Sequence, residues 1–317
     1  MKFNVIYIEE KIKDYPNTKE ILARINYKKI IYCENYNQVF NPKNQNFRIQ
    51  KAEPSIILAK KEQNFLLNAP EKFTIGYSKN FYFSHMLNCV YDCKYCFLQG
   101  MFNSAHYVIF VNYLDFFNAI KSQVSRSKKT ICFFSGYDCD SLALEKITNF
   151  LSFFLIKFQK IKNGILEVRT KSTKIDIFKQ IKPMNNIVIA FSLNPKHIVK
   201  KFEDKTPSLT QRIKAIVELQ KLGWNIGLRF DPLIIDNSNN FIIYDFFKFI
   251  FDKIETRRIH SVTLGKFRMP KQFFEKFSSL RPNEYFFINK ENEKFKNIGI
   301  YENQLRKFID KKKIFRN

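Results

Sequence analysis

The sequence predicts an α/β fold: a partial (β/α)6 parallel barrel with a small N-terminal α+β extension and a basic C-terminal tail. Three observations carry this. From about residue 73, short β-rich runs alternate six times with helical periodicity, and such alternation builds a parallel sheet through right-handed crossovers. The chain has 317 residues, 45% of them hydrophobic, enough for one large domain with appendages. Each predicted strand also has a polar residue at or just past its end, as expected where a site lies at the carboxyl ends of parallel strands.

Taken in order, residues 1–72 form the extension. A strand is expected over 5–8, a helix over 18–25 and a loop over 41–48. The apolar runs 55–59 and 65–67 fit a hairpin. Cys33 has no partner nearby and is expected to be a buried structural thiol. The barrel spans 73–284. Its strands are predicted at 81–83, 130–134, 165–170, 187–192, 225–230 and 261–264, with one more strand at 106–111. Helices are predicted over 114–124, 142–158, 175–181, 209–222 (ended by Gly223), 241–254 and 272–277. Residues 285–317 are polar and basic and read as an appendage, a nucleic-acid contact or a frayed terminus.

The balance of 54 basic against 29 acidic residues gives a formal charge of +25. That excess favours a polyanionic partner and a salt-dependent grip on a phosphate backbone. The acidic N-terminus and the lack of a span-length apolar run argue against a signal peptide and a membrane segment. Six cysteines, three of them clustered, point to a reducing compartment, so the cytoplasm is expected.

The clustered cysteines are Cys89, Cys93 and Cys96, with three and then two residues between them. Thiolates this close converge on one metal centre more readily than they pair as disulfides. Three local cysteines suit an iron–sulfur cluster. Structural zinc would need a fourth ligand, and His85 is the only close histidine. On that alternative the chain is a metal-stabilised nucleic-acid-binding protein without catalysis.

The CxxxCxxC pattern followed by Phe97 resembles the signature of radical S-adenosylmethionine (SAM) enzymes. The longer string from Phe81 to Gly100 resembles the spore photoproduct lyase family, most of all its members from bacteria that do not sporulate. The likeness extends over residues 50–285. It implies a [4Fe–4S] cluster on the three cysteines, SAM on the open iron, and a 5′-deoxyadenosyl radical that starts repair of a pyrimidine lesion in DNA. It implies that Lys171 and Ser192 contact SAM, with Asn194 and Asp140 in matching segments. Flavodoxin or ferredoxin is the kind of electron donor implied. Arg229, Lys266 and Arg268 are candidates for phosphate contacts at the barrel mouth. RNA, such as a tRNA base, is the rival substrate.

Two departures from the family pattern bear on hydrogen return. Tyr137 falls where the spore enzyme has a cysteine, with Cys139 two places on, and Phe97 replaces a tyrosine while Tyr95 is kept. Cys139 is expected as the hydrogen donor, with Tyr137 and Tyr95 as the other candidates.

Overall fold

The computed structural model describes residues 2–234, 240–282 and 298–317. Its strands, in chain order, are β1 (Lys2–Glu9), β2 (Asn26–Cys33), β3 (Ile56–Ala59), β4 (Leu67–Asn68), β5 (Lys79–Phe83), β6 (Met86–Leu87), β7 (Asp92–Cys93), β8 (Tyr107–Phe110), β9 (Ile131–Ser135), β10 (Gly164–Thr170), β11 (Ile187–Ser192), β12 (Glu203–Asp204), β13 (Asn225–Phe230), β14 (Ile259–Leu264) and β15 (Ile314–Arg316). The larger sheet runs β15-β14-β13-β11-β10-β9-β5-β4 and curls into a half-barrel. Its six central strands are the six predicted ones, all paired in parallel. The second sheet runs β2-β1-β3-β8-β6, and β7 pairs with β12 in a two-stranded ribbon.

Alternation along each strand sorts the side chains of the half-barrel onto two faces. Phe133, Leu166, Val168, Ile189, Phe191, Leu228, Phe230, Val262 and Leu264 point to the convex side and bury against the crossover helices. The helix Leu209–Lys221 shows how local signals build that layer. Ser208 and Gln211 form a reciprocal capping box at its start, Gly223 follows its end at φ +96°, and Ile213, Ile216 and Leu219 line the buried stripe. The concave face carries Tyr82, Cys132, Phe134, Glu167, Arg169, Ala190, Ser192, Gly227, Arg229, Ser261 and Thr263, a set rich in small and polar residues.

Three expectations are corrected. The runs 55–59 and 65–67 do not form a hairpin. β3 lies parallel between β1 and β8, whereas β4 pairs antiparallel with β5 at the edge of the other sheet. Both runs are apolar enough to seek a partner, but residues 60–66 carry the chain from one sheet to the next. Second, the helix expected over 142–158 breaks into Glu145–Thr148 and Phe150–Phe158. Asn149 sits there at φ +50°, and the Glu145 carboxylate turns back to accept from the amides of Leu151 (2.9 Å) and Ser152 (2.8 Å). Third, of the readings offered for the C-terminal segment the frayed terminus is set aside: β15 pairs in parallel with β14 and extends the half-barrel beyond it. Residues 285–297 of the expected tail lie outside the described residues. The strand over 106–111 forms but, as β8, joins the N-terminal sheet, so residues 2–59 share one sheet with residues that follow the first barrel strand. No described helix is long and apolar enough to cross a membrane.

Candidate active site

The cysteine loop leaves β6 at the carboxyl end of β5. Asn88 turns the chain at φ +67°, and its side-chain amide donates to the carbonyls of Ser104 (2.7 Å) and His106 (2.8 Å). Cys93 lies in β7, opposite Glu203 of β12. The loop is held by side chains from two distant segments, the helix Phe47–Ala52 and Arg281, and by Gln99 just beyond the last cysteine. Lys51, buried, donates to the carbonyl of Cys89. Gln99 donates to the carbonyl of Cys93 at 2.8 Å. Asp92 takes a bidentate grip from Arg48 (2.9 and 2.9 Å) and a further bond from Arg281 (2.8 Å), which also orients Gln99. Gly100 permits this closure, because a Cβ there would lie 2.0 Å from the carbonyl oxygen of Phe273 on the helix Lys271–Leu280.

The three thiols fit an iron–sulfur cluster. They are free, they lie within electrostatic reach of one another, and burial pushes each one up, Cys89 to about 12. Such thiols stay protonated until a thiophilic metal displaces the proton. Among the described residues no three His, Cys, Asp or Glu side chains form a site for a single ion. A cluster asks less of the sulfurs, since each binds its own iron. Lys51 and Lys171 lie within electrostatic reach of these thiols, positive charge suited to an anionic cluster. His85, weighed as a zinc ligand, stacks on Phe150 at 4.0 Å inside the aromatic core. Neither ring nitrogen has a partner, and burial lowers its pKa to about 3.

Beyond the loop, Tyr95, Glu203, Asn194 and Arg212 form a buried network. Tyr95 donates its hydroxyl to Glu203, and the Asn194 amide donates to Glu203 at 3.1 Å and to Tyr95 at 3.3 Å. Arg212 pairs with Glu203 and donates to the carbonyl of Ser192 at 2.9 Å. The Asn194 oxygen accepts from the amide of Ile234 at 3.0 Å. These groups are occupied with one another, so Tyr95 and Asn194 position the site's wall. Lys171 lies over the Tyr95 ring at 5.6 Å. Burial works against its charge, yet the acidic groups around it, the Glu203 carboxylate among them, outweigh that and hold the ammonium above the usual lysine range. The Ser192 side chain lies on the same concave face.

Asp140 spends its carboxylate within the protein. It accepts from Leu142 (3.0 Å), Ala143 (2.9 Å), the Thr170 hydroxyl (2.7 Å) and the Lys171 amide (2.7 Å). The structure thus gives Asp140 the work of fixing Lys171 in place of the expected direct contact to SAM. Arg229 is a plain correction: it is fully buried and has no phosphate to reach. It pairs with Glu167 through two bonds (3.1 and 2.7 Å) and donates to Ser261 and to the carbonyl of Leu228. Gly227 makes room for it, since a Cβ there would meet its Nη2 at 2.5 Å. Lys266 is half-buried and Arg268 exposed at the mouth.

The Glu167–Arg229 pair gives a pH prediction. Burial would raise the Glu167 carboxyl, but Arg229 and Arg169 outweigh it and hold the pKa near 2, against an ordinary 4.5. A depressed carboxyl adds stability above the unfolded value and loses it as pH falls through the folded one. Stability on the order of 3 kcal/mol should therefore drain away between about pH 4.5 and pH 2. Denaturant titrations across that range check it, and Glu167→Gln should flatten the dependence.

The hydrogen-donor candidates part company. After Gly136, at φ +77°, Tyr137 enters an aromatic group at the barrel mouth. Its ring lies 4.4 Å from Tyr82, 5.8 Å from Phe97 and 6.0 Å from Phe73. Burial, with Asp138 beside it, raises the Tyr137 phenol, and Tyr82 is pushed up to about 12 by the same two causes and Tyr137. Both keep their O–H hydrogen at neutral pH. Cys139 instead turns into the apolar cluster of the N-terminal sheet with Ile6, Ile8, Met86, Leu144 and Ile147, behind Cys89. The sequence reading missed Arg48, Lys51, Gln99 and Arg281, which hold the loop, and Tyr82 and Arg169, which line the mouth. Only the period-two spacing of Arg169 with Glu167, and of Tyr82 within β5, signalled the last two.

A three-cysteine loop at the carboxyl end of the first strand of a six-stranded parallel half-barrel defines a radical SAM protein. The family model for spore photoproduct lyase matches residues 1–313. The chain belongs to the spore photoproduct lyase family, whose cofactors are a [4Fe–4S] cluster and SAM. It is 25% identical over 238 residues to the spore photoproduct lyase of Bacillus subtilis (strain 168), covering 73% of this chain and 68% of that one. It is 23% identical over 301 residues to that of Clostridium acetobutylicum, covering 93% and 87%. Among solved structures, it is similar to a spore photoproduct lyase mutant with bound AdoMet and dinucleoside spore photoproduct. There the TM-score is 0.81 at 16% identity, over 99% of this chain and 98% of the other. A spore photoproduct lyase complexed with dinucleoside spore photoproduct gives 0.78 at 15% identity over the same shares.

Proposed function

We propose that this radical SAM enzyme reverses a pyrimidine photolesion in DNA, a thymine–thymine adduct of the spore photoproduct kind. The observation that carries the reading is the cysteine loop at the mouth of the half-barrel in a chain that matches the spore photoproduct lyase family over nearly its whole length. Cys89, Cys93 and Cys96 would hold the [4Fe–4S] cluster, which would supply the one-electron reduction of SAM on which the family's radical chemistry depends. The chain's own residues do the rest. Lys171 offers an ammonium to the SAM carboxylate and Ser192 a hydroxyl to a SAM oxygen, while Asp140 holds the Lys171 backbone. Arg268 and Lys266 meet phosphates at the rim. A lesion must leave the duplex to reach this mouth, and the surplus of basic residues suits the backbone grip that this requires.

Tyr137 is the residue we favour to return a hydrogen atom to the repaired base. What supports it over Cys139 is its place at the mouth, against Cys139's burial in the apolar cluster. A base C–H bond forms and the Tyr137 O–H bond breaks. The phenoxyl radical left behind then takes one electron and one proton, the electron from the flavodoxin or ferredoxin kind of donor that reduces the cluster. Free cysteines and an oxygen-sensitive cluster suit a reducing cytoplasm.

The test is 5′-deoxyadenosine release by the anaerobically reconstituted, reduced enzyme with three additions: lesion-bearing oligonucleotide, undamaged oligonucleotide and total RNA. Release stimulated by the lesion alone is expected. Release stimulated by RNA alone would replace the substrate and keep the cofactor chemistry.

A further inference from the structure

The concave face of the half-barrel holds more polar capacity than the protein itself uses. Arg169 Nη2, Thr263 Oγ1 and Asn80 Oδ1 are all buried without a hydrogen-bond partner, and all three lie on strands whose other face packs the core. Buried polar atoms are rarely left unpaired. Asn80 lies at the start of β5, at the amino end of the barrel, whereas Arg169 and Thr263 lie toward the carboxyl ends of β10 and β14, where a ligand or ordered water can pair them.

Arg169 is the most specific of the three. Glu167 is already neutralised by the bidentate grip of Arg229, so the single bond from Arg169 Nε to Glu167 (2.9 Å) adds a second positive charge to a pair that is complete. The Arg169 guanidinium carbon lies over Phe73, 4.7 Å from the ring centroid, with its side chain 16% exposed. It sits near the carboxyl end of β10, two residues before Lys171 and within electrostatic reach of the Tyr137 phenol. Arg268 and Asp231 bound the same phenol. The result is an aromatic wall of Phe73, Tyr82, Phe97 and Tyr137 beside a guanidinium whose buried Nη2 has no partner.

We infer that Arg169 reads the substrate: its Nη2 donates to a carbonyl oxygen of a pyrimidine ring that lies against the Tyr82–Tyr137 wall. A wall of rings takes a flat ring and excludes water. A buried, charged donor then prefers an oxygen acceptor, and a substrate without one leaves the charge unpaired. This inference rests on the proposed function and adds to it the residue that selects the base.

The experiment uses the full-length chain, with the cluster reconstituted anaerobically and kept oxidised so that no turnover occurs. Binding of SAM and of two lesion probes is measured for the unsubstituted protein, Arg169→Gln and Arg169→Lys. One probe is the dinucleoside spore photoproduct, without a bridging phosphodiester, and the other is the dinucleotide with it. Arg169→Lys keeps a cation beside Glu167 and so preserves the fold if the glutamine variant does not. Both variants should load the cluster normally, bind SAM within about twofold and bind both probes roughly 10- to 100-fold more weakly. Weakened binding of the dinucleotide alone would mean a phosphate contact and overturn the inference, as would loss of SAM affinity or unchanged affinity for both probes. Failure of the underlying reading looks different, because the unsubstituted enzyme would then bind neither probe.

Discussion

Cys93→Ala should remove nearly all SAM cleavage and leave the fold in place. The shape of the loop does not depend on this thiol. β7 is pinned to β12, the Cys93 carbonyl is held by Gln99, and the Lys94 amide donates to the carbonyl of Phe202 at 2.8 Å. Asp92, one residue before, is clamped by two arginines. What the substitution removes is one of only three thiolates available to the cluster. The expected result is a chain with an unchanged unfolding transition that loses the brown absorbance and most of its iron. Its 5′-deoxyadenosine formation should fall below about one-thousandth of the original rate, equivalent to a loss of roughly 4 kcal/mol of barrier lowering. Iron assay, visible absorption and product analysis measure each part separately. Retained iron with retained cleavage would remove Cys93 from the centre.

Tyr137→Phe is the second large effect. The substitution keeps the ring against Tyr82, Phe97 and Phe73 and deletes only the O–H. Lesion binding should stay within about twofold, whereas conversion of lesion to thymine should fall more than tenfold, at least about 1.4 kcal/mol in the barrier. Cleaved SAM should then exceed repaired bases, because a radical with no donor is quenched by other routes. Cys139→Ala makes the contrast. It trims a side chain in the apolar cluster below the N-terminal sheet, so it should cost about 1 kcal/mol of stability and leave the repair rate within roughly twofold. Chromatographic yields of thymine and 5′-deoxyadenosine for the two variants decide between the donors. A large loss with Cys139→Ala and none with Tyr137→Phe would reverse the assignment.

The six barrel strands and the cysteine loop were legible in the sequence because local signals fix both. Alternating apolar runs such as 187–192 have few other ways to bury themselves, and three thiols in eight residues have few other uses. What was not legible depends on which strands become neighbours. Arg229 has the composition of a phosphate contact, and only the pairing of β11 between β10 and β13 brings it to Glu167. β8 has the pattern of a barrel strand, and its partner β3 belongs to a segment fifty residues earlier. The same holds for the arginines on Asp92: Arg48 and Arg281 come from opposite ends of the chain, and no spacing rule links them to a loop at residue 92. Tyr137 and Cys139 are two residues apart, and the chemistry of a thiol made Cys139 the expected donor. They separate because the chain bends through residues 137–139, with Tyr137 at the mouth and Cys139 in the cluster of the N-terminal sheet.

The most direct test of the central claim is a single-turnover assay under strict anaerobiosis. Reconstituted, reduced enzyme and SAM are mixed with an oligonucleotide carrying one spore photoproduct, and the digested strand is analysed by mass spectrometry. The account predicts loss of the lesion with matching gain of two thymines, dependent on SAM and absent in Cys93→Ala. SAM cleavage that leaves the lesion intact, with the lesion bound and the cluster fully loaded, would contradict it.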